Sequence, residues 1–456
     1  MIPKVRPDLV FLPERVVDDR FGRALKPRPA ERRVLDLLRA GVTSLRELWQ
    51  RAEREARRHG EPPPTPDDLY RRLWSLAHDL WFELEALPDY DRLAAWKPGL
   101  PPIDEPLDTS RAAFLCTGCG RCCDHTDIGP VGRDEAARIG RAVPGFEAHL
   151  TWANDAIALL GAGNERCPYK RPDGLCALHA DHGAGAKPLV CRQFPYRFTR
   201  VDGCVEASLD AECWQLREAM AAGRARPDDA DAEVRGVWAL GPIVDELPPV
   251  RFADPFTPLD EAGWDRVVAA FEGALAAGRS PAGGVRAALA AVPRRVPPFL
   301  DEAAWVGAFG AAFQPAGPRL GPWAFAELLR LLDAWTAAAP WRTGLGACLQ
   351  RGARRLAEGR PAAPLTPDER ELLVLTARSH LASRNVLKKD NLELGLVGLY
   401  WRIRLSEAAR GPTSVIDTLV ASNKLPKDRR LGEFFRQNQV VFRRLAELPV
   451  ESLEVT

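Results

Sequence analysis

The sequence predicts an α+β protein that is predominantly helical and contains three structural units. In the first 90 residues, short runs of strand-forming residues precede apolar residues at helical spacing. Nine of the ten cysteines then fall within 98 residues, between Cys116 and Cys213. From about residue 248 onward the apolar spacing is helical throughout, including segments at 415–420 and 431–448. Capping patterns at Thr257–Asp260 and Thr366–Glu369 each predict the start of a helix. We therefore expect a winged-helix-like N-terminal unit, an irregular cysteine-rich domain and an all-α C-terminal domain.

The boundaries between these units fall where proline or charged residues accumulate. A chain of 456 residues is long enough for several domains, at roughly 100–200 residues each. Prolines fix φ and remove backbone donors, so the stretch before the first cysteine is expected to be an extended linker. The predicted segments are the unit 1–90, a Pro-rich linker 91–111, the cysteine-rich domain 112–218, a linker 219–247 and the helical domain 248–456.

In the N-terminal unit, three strands are expected to come before three helices. The strand candidates are Leu9–Leu12, Arg15–Val17 and Arg23–Leu25. The first helix is expected to end at Gly41, and Ser44 with Glu47 forms the pattern of a capping box that starts the second. A third helix is predicted from Thr65, because Pro66 suits its first turn.

The segments "RFGRALKP", "ERRVLDLLRAGVTSLRELW" and "DDLYRRLWSLAHDLWFE" resemble PqqD-like peptide-recognition domains. The resemblance implies that a peptide partner binds by adding a strand to an exposed sheet edge. A purely structural role for this unit is the alternative. DNA binding is disfavoured, because residues 1–90 carry 17 Lys+Arg against 16 Asp+Glu and lack the basic excess that phosphate binding needs.

The cysteines have spacings that suit metal ligands. Cys116, Cys119, Cys122 and Cys123 lie in the octet "CTGCGRCC", whose glycines let the backbone turn around a metal. A second, dispersed group follows, and "RPDG" between its first two members predicts a turn that brings them together. The second group consists of Cys167, Cys176, Cys191 and Cys213, with Cys204 as an extra cysteine.

The octet, with "CPYKRPDGLCALH", "KPLVCRQFPY" and "AECW", resembles the CxxCxxCC cysteine-cluster family of the YkgJ type, which is described as chelating zinc or iron. The flagellin lysine N-methylases carry a related arrangement and are held to depend on an iron–sulfur cluster. The resemblance covers residues 112–215. It implies a protein- or peptide-modifying activity, with S-adenosylmethionine as a cosubstrate of the lysine N-methylase type. The implied ligands are Cys116, Cys119, Cys122, Cys123, Cys167, Cys176, Cys191 and Cys213.

The spacing favours an iron–sulfur cluster over zinc or mononuclear iron. Cys116, Cys119 and Cys122 reproduce the C-x₂-C-x₂-C start of a bacterial ferredoxin motif. Zinc ribbons usually pair two narrow knuckles, and the gap between Cys167 and Cys176 is wider. Thiols without metal stay an alternative. Residues 112–218 carry 12 Lys+Arg against 14 Asp+Glu, so eight thiolates would need cations to balance their charge.

Other candidate groups in this domain are weaker. His125 and His179 lie close to cysteines and could be ligands, although a partly exposed polar role is favoured for both. The "GAG" at residues 161–163 suggests a nucleotide loop, but the helix and the acidic residue that such a loop needs do not follow. No acid/base pair or activated nucleophile can be named, so the sequence predicts no catalytic residue, substrate or reaction.

The expected location is the cytoplasm, with no membrane segment. The N-terminal residues lack the apolar core of a secretory signal, and the apolar run from Ala303 to Phe313 is shorter than the roughly 20 residues of a membrane span. Clustered cysteines in a reducing compartment indicate metal binding or redox chemistry rather than structural disulfides. Two functions stay open: an enzyme that modifies a protein or peptide, and a non-catalytic zinc- or iron-binding structural, sensor or peptide-recognition module.

Overall fold

A computed structural model mixes helices and small sheets along the chain, which confirms the α+β class. The residues that the structure describes are 2–95, 106–109, 120, 123, 128–152, 157–160, 167–201, 203–210, 213, 230–248, 250–313, 327–333, 343–358, 365–382, 385–388 and 391–408.

The N-terminal unit is a three-stranded antiparallel sheet followed by four helices. The elements are β1 (Leu9–Phe11), β2 (Val16–Asp18), β3 (Arg23–Leu25), α1 (Pro29–Arg39), α2 (Leu45–Arg58), α3 (Pro66–His78) and α4 (Leu87–Ala95). The predicted strands and the first three helices are confirmed to within a few residues. Local sequence explains this agreement: Ser44 caps α2 through the Glu47 backbone N–H, and Thr65 forms a capping box with Asp68 at the start of α3.

The cysteine-rich region contains two sheets, so the prediction of an irregular domain is wrong. Its strands are β4 (Leu107–Asp108), β5 (Ile128–Gly132), β6 (Leu150–Trp152), β7 (Ile157–Leu160), β8 (Tyr196–Val201), β9 (Cys204–Leu209) and β10 (Val244–Glu246). Its helices are α5 (Arg133–Ala142), α6 (Ala177–His182), α7 (Leu189–Gln193) and α8 (Ala230–Trp238). One sheet has the order β5-β7-β6 and the other the order β10-β8-β9-β4.

The β8–β9 hairpin organises the larger sheet. Val201 pairs with Cys204 across a tight turn in which Gly203 has φ of +83°. Its buried face holds Tyr196, Phe198 and Val205. Segments expected to be linkers complete this sheet, because β4 pairs in parallel with β9 and β10 pairs in parallel with β8. Such short strands gain their stability from the neighbouring strand and not from their own sequence.

The C-terminal region is mostly helical, as predicted, but the all-α description is wrong. Its helices are α9 (Glu261–Ala276), α10 (Pro281–Ala290), α11 (Glu302–Phe309), α12 (Thr343–Ala357), α13 (Pro367–Ala382) and α14 (Leu392–Ala408). An antiparallel hairpin precedes them, formed by β11 (Arg251–Asp254) and β12 (Thr257–Leu259). The expected helix start at Thr257 therefore belongs to a strand, and Asp260 caps α9 instead. The further helices predicted at 415–420 and 431–448 lie outside the described residues.

The N-terminal unit and residues 256–313 share one apolar core. Tyr70 on α3 packs edge-on against Trp305, with ring centroids 5.2 Å apart, and its hydroxyl donates to the Leu300 carbonyl at 3.1 Å. Phe82 contacts Phe299 in the same way, at 5.4 Å. These long-range contacts bury the faces of α3 and α11 together. Within the described part of the chain, no helix has the length and apolar character needed to cross a membrane.

Candidate metal centre

The turn between Cys167 and Cys176 forms as the sequence predicts. The Arg171 backbone N–H donates to the Leu175 carbonyl at 2.8 Å, and Gly174 occupies the left-handed region with φ of +88°. Lys170 and Cys176 form an isolated antiparallel bridge across this turn. The turn therefore brings the two arms that carry Cys167 and Cys176 side by side.

The described end of the octet lies directly against this turn. The Cys167 backbone N–H donates to the Cys123 carbonyl at 2.8 Å, and the Cys123 N–H donates to the Gly120 carbonyl at 3.1 Å. Gly120 has φ of +68°, and a Cβ placed there would lie 2.0 Å from the Gly174 carbonyl oxygen. Only glycine permits both this backbone conformation and this contact. Two cysteine segments more than forty residues apart are thus held together by backbone contacts.

Cys191 joins from a third segment. It lies on the short helix α7, where its backbone N–H donates to the Pro188 carbonyl at 2.9 Å. The Leu189 backbone N–H at the start of α7 donates to the Glu135 carboxylate of α5 at 2.5 Å, which fixes α7 against the smaller sheet. Cys123, Cys167, Cys176 and Cys191 all pack in one apolar cluster with residues of β5 and α5.

The four side chains influence one another electrostatically. A hydrogen bond with the Cys123 thiol lowers the pKa of Cys167 below its ordinary value and outweighs burial, which acts in the opposite direction. The nearby Cys191 and Cys176 raise the same pKa, since a neighbouring negative charge disfavours a second thiolate. Thiolate is the form that binds metal, so Cys167 is prepared for ligation.

The other predicted ligands are placed less completely. Cys213 is buried after β9, and its backbone N–H donates to the Asp210 carbonyl at 3.0 Å, but it is not a member of the four-thiol cluster. Cys116, Cys119 and Cys122 lie outside the described residues. Among the residues that are described, no three His, Cys, Asp or Glu side chains are arranged so that they could hold a metal ion. Four cysteines therefore lie in one cluster, but the described residues alone do not form a complete set of metal ligands.

The remaining cysteines and histidines lie apart from this cluster. Cys204 is at the β8–β9 turn, where its thiol donates to the Pro106 carbonyl at 3.4 Å. His179 is exposed on α6, in agreement with the polar surface role favoured for it. His125 lies outside the described residues, and so does the "GAG" segment. The side chain of Cys348, on α12, also lies outside the described set.

Arg192 lies beside the cysteine cluster, and the sequence did not single it out. It follows Cys191 on α7, and its Nε is buried without a hydrogen-bond partner. Burial lowers the pKa of Arg192, and the nearby Arg138 lowers it further, whereas Glu135 and Cys191 raise it. A guanidinium in this position can balance the negative charge of clustered thiolates. The available signal was its position beside a proposed ligand in "KPLVCRQFPY".

The chain matches no protein-family model, no curated protein and no solved structure. The resemblances to the YkgJ-type and PqqD-like families therefore stay predictions.

Proposed function

We propose that the cysteine-rich region binds a metal centre and that the protein uses it in the modification of a protein or peptide, in the manner of a lysine N-methylase. The observation that carries the metal proposal is the convergence of Cys123, Cys167, Cys176 and Cys191 from three separate segments into one apolar cluster. Cys167 is buried and the other three cysteines are partly buried, and no disulfide joins any of them. Deprotonation of thiols this close together is costly unless a cation compensates their negative charge.

The remaining predicted cysteines extend this site. We propose that Cys116, Cys119 and Cys122 complete the ligand set with Cys213. An iron–sulfur cluster takes four thiolates, so the eight cysteines are enough for one cluster and a single-metal site, or for two four-coordinate sites. Such a cluster would supply one-electron chemistry, and the partly buried Arg192 would offset its negative charge. Zinc or mononuclear iron in a structural or sensor site is the alternative, which the same soft thiolate ligands would suit.

For the N-terminal unit we propose a winged-helix-like, PqqD-like role in presenting a protein or peptide substrate. In support, β1 and β3 each pair with β2 alone in the described part of the sheet, so each leaves an edge to which a strand can add. The same unit packs on residues 256–313, which suits it to hold a substrate at a fixed position relative to the rest of the chain.

Anaerobic purification followed by metal, sulfide and absorption measurements tests the metal proposal. The expected result is iron with acid-labile sulfide and visible charge-transfer absorption. A colourless protein with stoichiometric zinc and no sulfide would establish the zinc alternative. Cys167→Ser should lose most of the metal, while Cys204→Ser, as the matched control, should retain it. Equal loss from both variants would show that the ligand set is wrong.

The enzymatic part needs its own experiment. The full chain, loaded with its metal, would be used to capture peptides for mass spectrometry and would be titrated with S-adenosylmethionine. We expect a bound peptide and S-adenosylmethionine affinity in the micromolar range that is typical of enzyme substrates. Absence of bound peptide, of cosubstrate binding and of any mass change on a partner would leave the non-catalytic module as the function.

A further inference from the structure

The β11–β12 hairpin lies between two apolar cores and contacts both. On one side, Phe252 stacks on Tyr90 of α4 with ring centroids 4.2 Å apart, and Phe256 meets Trp74 of α3 edge-on at 5.4 Å. On the other side, Ala253 and Leu259 belong to the core of the C-terminal helices. The hairpin therefore connects the N-terminal unit to the helical region through side chains on alternate faces.

Asp254 is buried at this junction, with only 1% of its surface exposed. One carboxylate oxygen, Oδ1, accepts from the Phe256 backbone N–H at 2.8 Å. The other, Oδ2, is buried and has no hydrogen-bond partner. Burial of an ionised carboxylate without a hydrogen-bond partner for this oxygen costs free energy. The protonated carboxyl carries no net charge, so its burial costs less.

A second carboxylate faces Asp254 from α14. Glu393 is completely buried, and it forms an ion pair with Arg294, whose Nε lies 2.7 Å from Glu393 Oε1. The other groups around Asp254 are Thr257 of β12, whose hydroxyl accepts from the Arg295 backbone N–H, and Tyr90 of α4, whose hydroxyl donates to the adjacent Pro255 carbonyl. Arg251, on the same strand, is paired with Glu261. Arg294 is thus engaged by Glu393, and its positive charge also acts on Asp254.

Burial raises the pKa of Asp254 to about 6, and the negative charge of Glu393 adds to this, although hydrogen bonding and Arg294 act in the opposite direction. Because the pKa in the folded state lies above the ordinary value of 3.8, the ionised form disfavours the packed hairpin. The neutral carboxyl therefore stabilises the packed hairpin fully below pH 3.8, and this stabilisation is lost as the pH rises from 3.8 to about 6.

We propose that the β11–β12 hairpin is a pH-sensitive clasp between the N-terminal core and the helical core, tightened when Asp254 takes up a proton and loosened when it ionises. This inference is independent of the metal centre and of the proposed enzymatic role. It gives the chain a means of changing how firmly the N-terminal unit is held on the helical region.

Hydrogen–deuterium exchange of the full chain at pH 5 and pH 8, corrected for intrinsic exchange rates, tests the clasp. The raised pKa of Asp254 predicts about tenfold greater protection at pH 5 than at pH 8 for peptides covering residues 250–260 and 391–401. In Asp254→Asn, which keeps the shape and removes the titration, protection of these peptides should be the same at both pH values. The matched control Asp265→Asn, at an exposed position on α9, should behave as the unaltered protein does.

A second variant keeps the test decisive if Asp254→Asn folds poorly. Glu393→Gln removes the like charge and leaves Arg294 beside Asp254, so the midpoint of the pH dependence should fall below 6. Equal protection at pH 5 and pH 8 in the unaltered protein would overturn the proposal, as would a pH dependence that survives Asp254→Asn. An unchanged midpoint in Glu393→Gln would overturn the part assigned to Glu393.

Discussion

Replacing Gly120 by alanine should disrupt the cysteine cluster. The new Cβ would lie 2.0 Å from the Gly174 carbonyl oxygen, and real Cβ contacts stay beyond 3.0 Å, so the two segments must separate by about 1 Å. Metal–ligand distances tolerate about 0.2 Å. Separation of the octet from the Cys167–Cys176 turn should therefore weaken metal binding at least tenfold, which is the scale of lost supporting contacts around a metal.

Gly145 supplies a matched control. It also has a positive φ, +86°, but a Cβ there would meet nothing within 4 Å. Gly145→Ala should therefore cost only the backbone strain of about 1 kcal/mol, with metal content unchanged.

Metal content after anaerobic dialysis against a graded chelator, with circular dichroism to verify folding, measures both variants. If Gly120→Ala retains metal as the unaltered protein does, the contact between the two segments does not support the site. If both variants lose metal equally, backbone strain and not the contact is responsible.

Three further predictions concern the fold. Trp305→Ala should lower the free energy of unfolding by about 3–5 kcal/mol, because Trp305 is fully buried in the shared core; a denaturant-midpoint change equivalent to less than 1 kcal/mol would contradict it. Tyr70→Phe removes the hydrogen bond to Leu300 and should cost about 1 kcal/mol by the same titration, and a neutral result would show that this bond adds nothing. The hydrogen bond from Arg6 lowers the pKa of Asp8, so its contribution is present above pH 3.8 and is lost as the pH falls through the lower folded-state pKa. In thermal melts, the melting temperature of Asp8→Asn should therefore fall less at acid pH than that of the unaltered protein. An identical fall in both proteins would refute this.

Local capping signals made the starts of α2, α3 and α13 predictable. Thr65 and Pro66 start α3, and Thr366 forms reciprocal hydrogen bonds with Glu369 at the start of α13, as the sequence pattern predicts. The cysteine turn was predictable for the same reason, since Asp173 and Gly174 favour a tight turn without any tertiary contact. Each of these predictions depends only on residues within a few positions of one another.

The strands that were missed depend on distant partners. The sequence of β11 lacks the alternation of apolar and polar residues that marks a half-exposed strand. Phe252, Ala253 and Asp254 are all buried between the two cores, so neither face of the strand is exposed there. β4 and β10 are two and three residues long and exist through parallel pairing with β9 and β8. The β8–β9 hairpin did carry a readable signal, the Asp-Gly turn between two runs of strand-forming residues.

The sequence by itself determined the cysteine inventory, the turn that joins Cys167 to Cys176 and the capped starts of α2, α3 and α13, because these follow from residue chemistry and short-range spacing. Only the tertiary structure decided which cysteines meet, that Gly120 contacts Gly174, and that the Nε atom of Arg192 is buried. It also decided that Asp254 would be buried opposite Glu393, some 140 residues away along the chain. Burial and electrostatic environment depend on packing between distant segments, which no local pattern encodes.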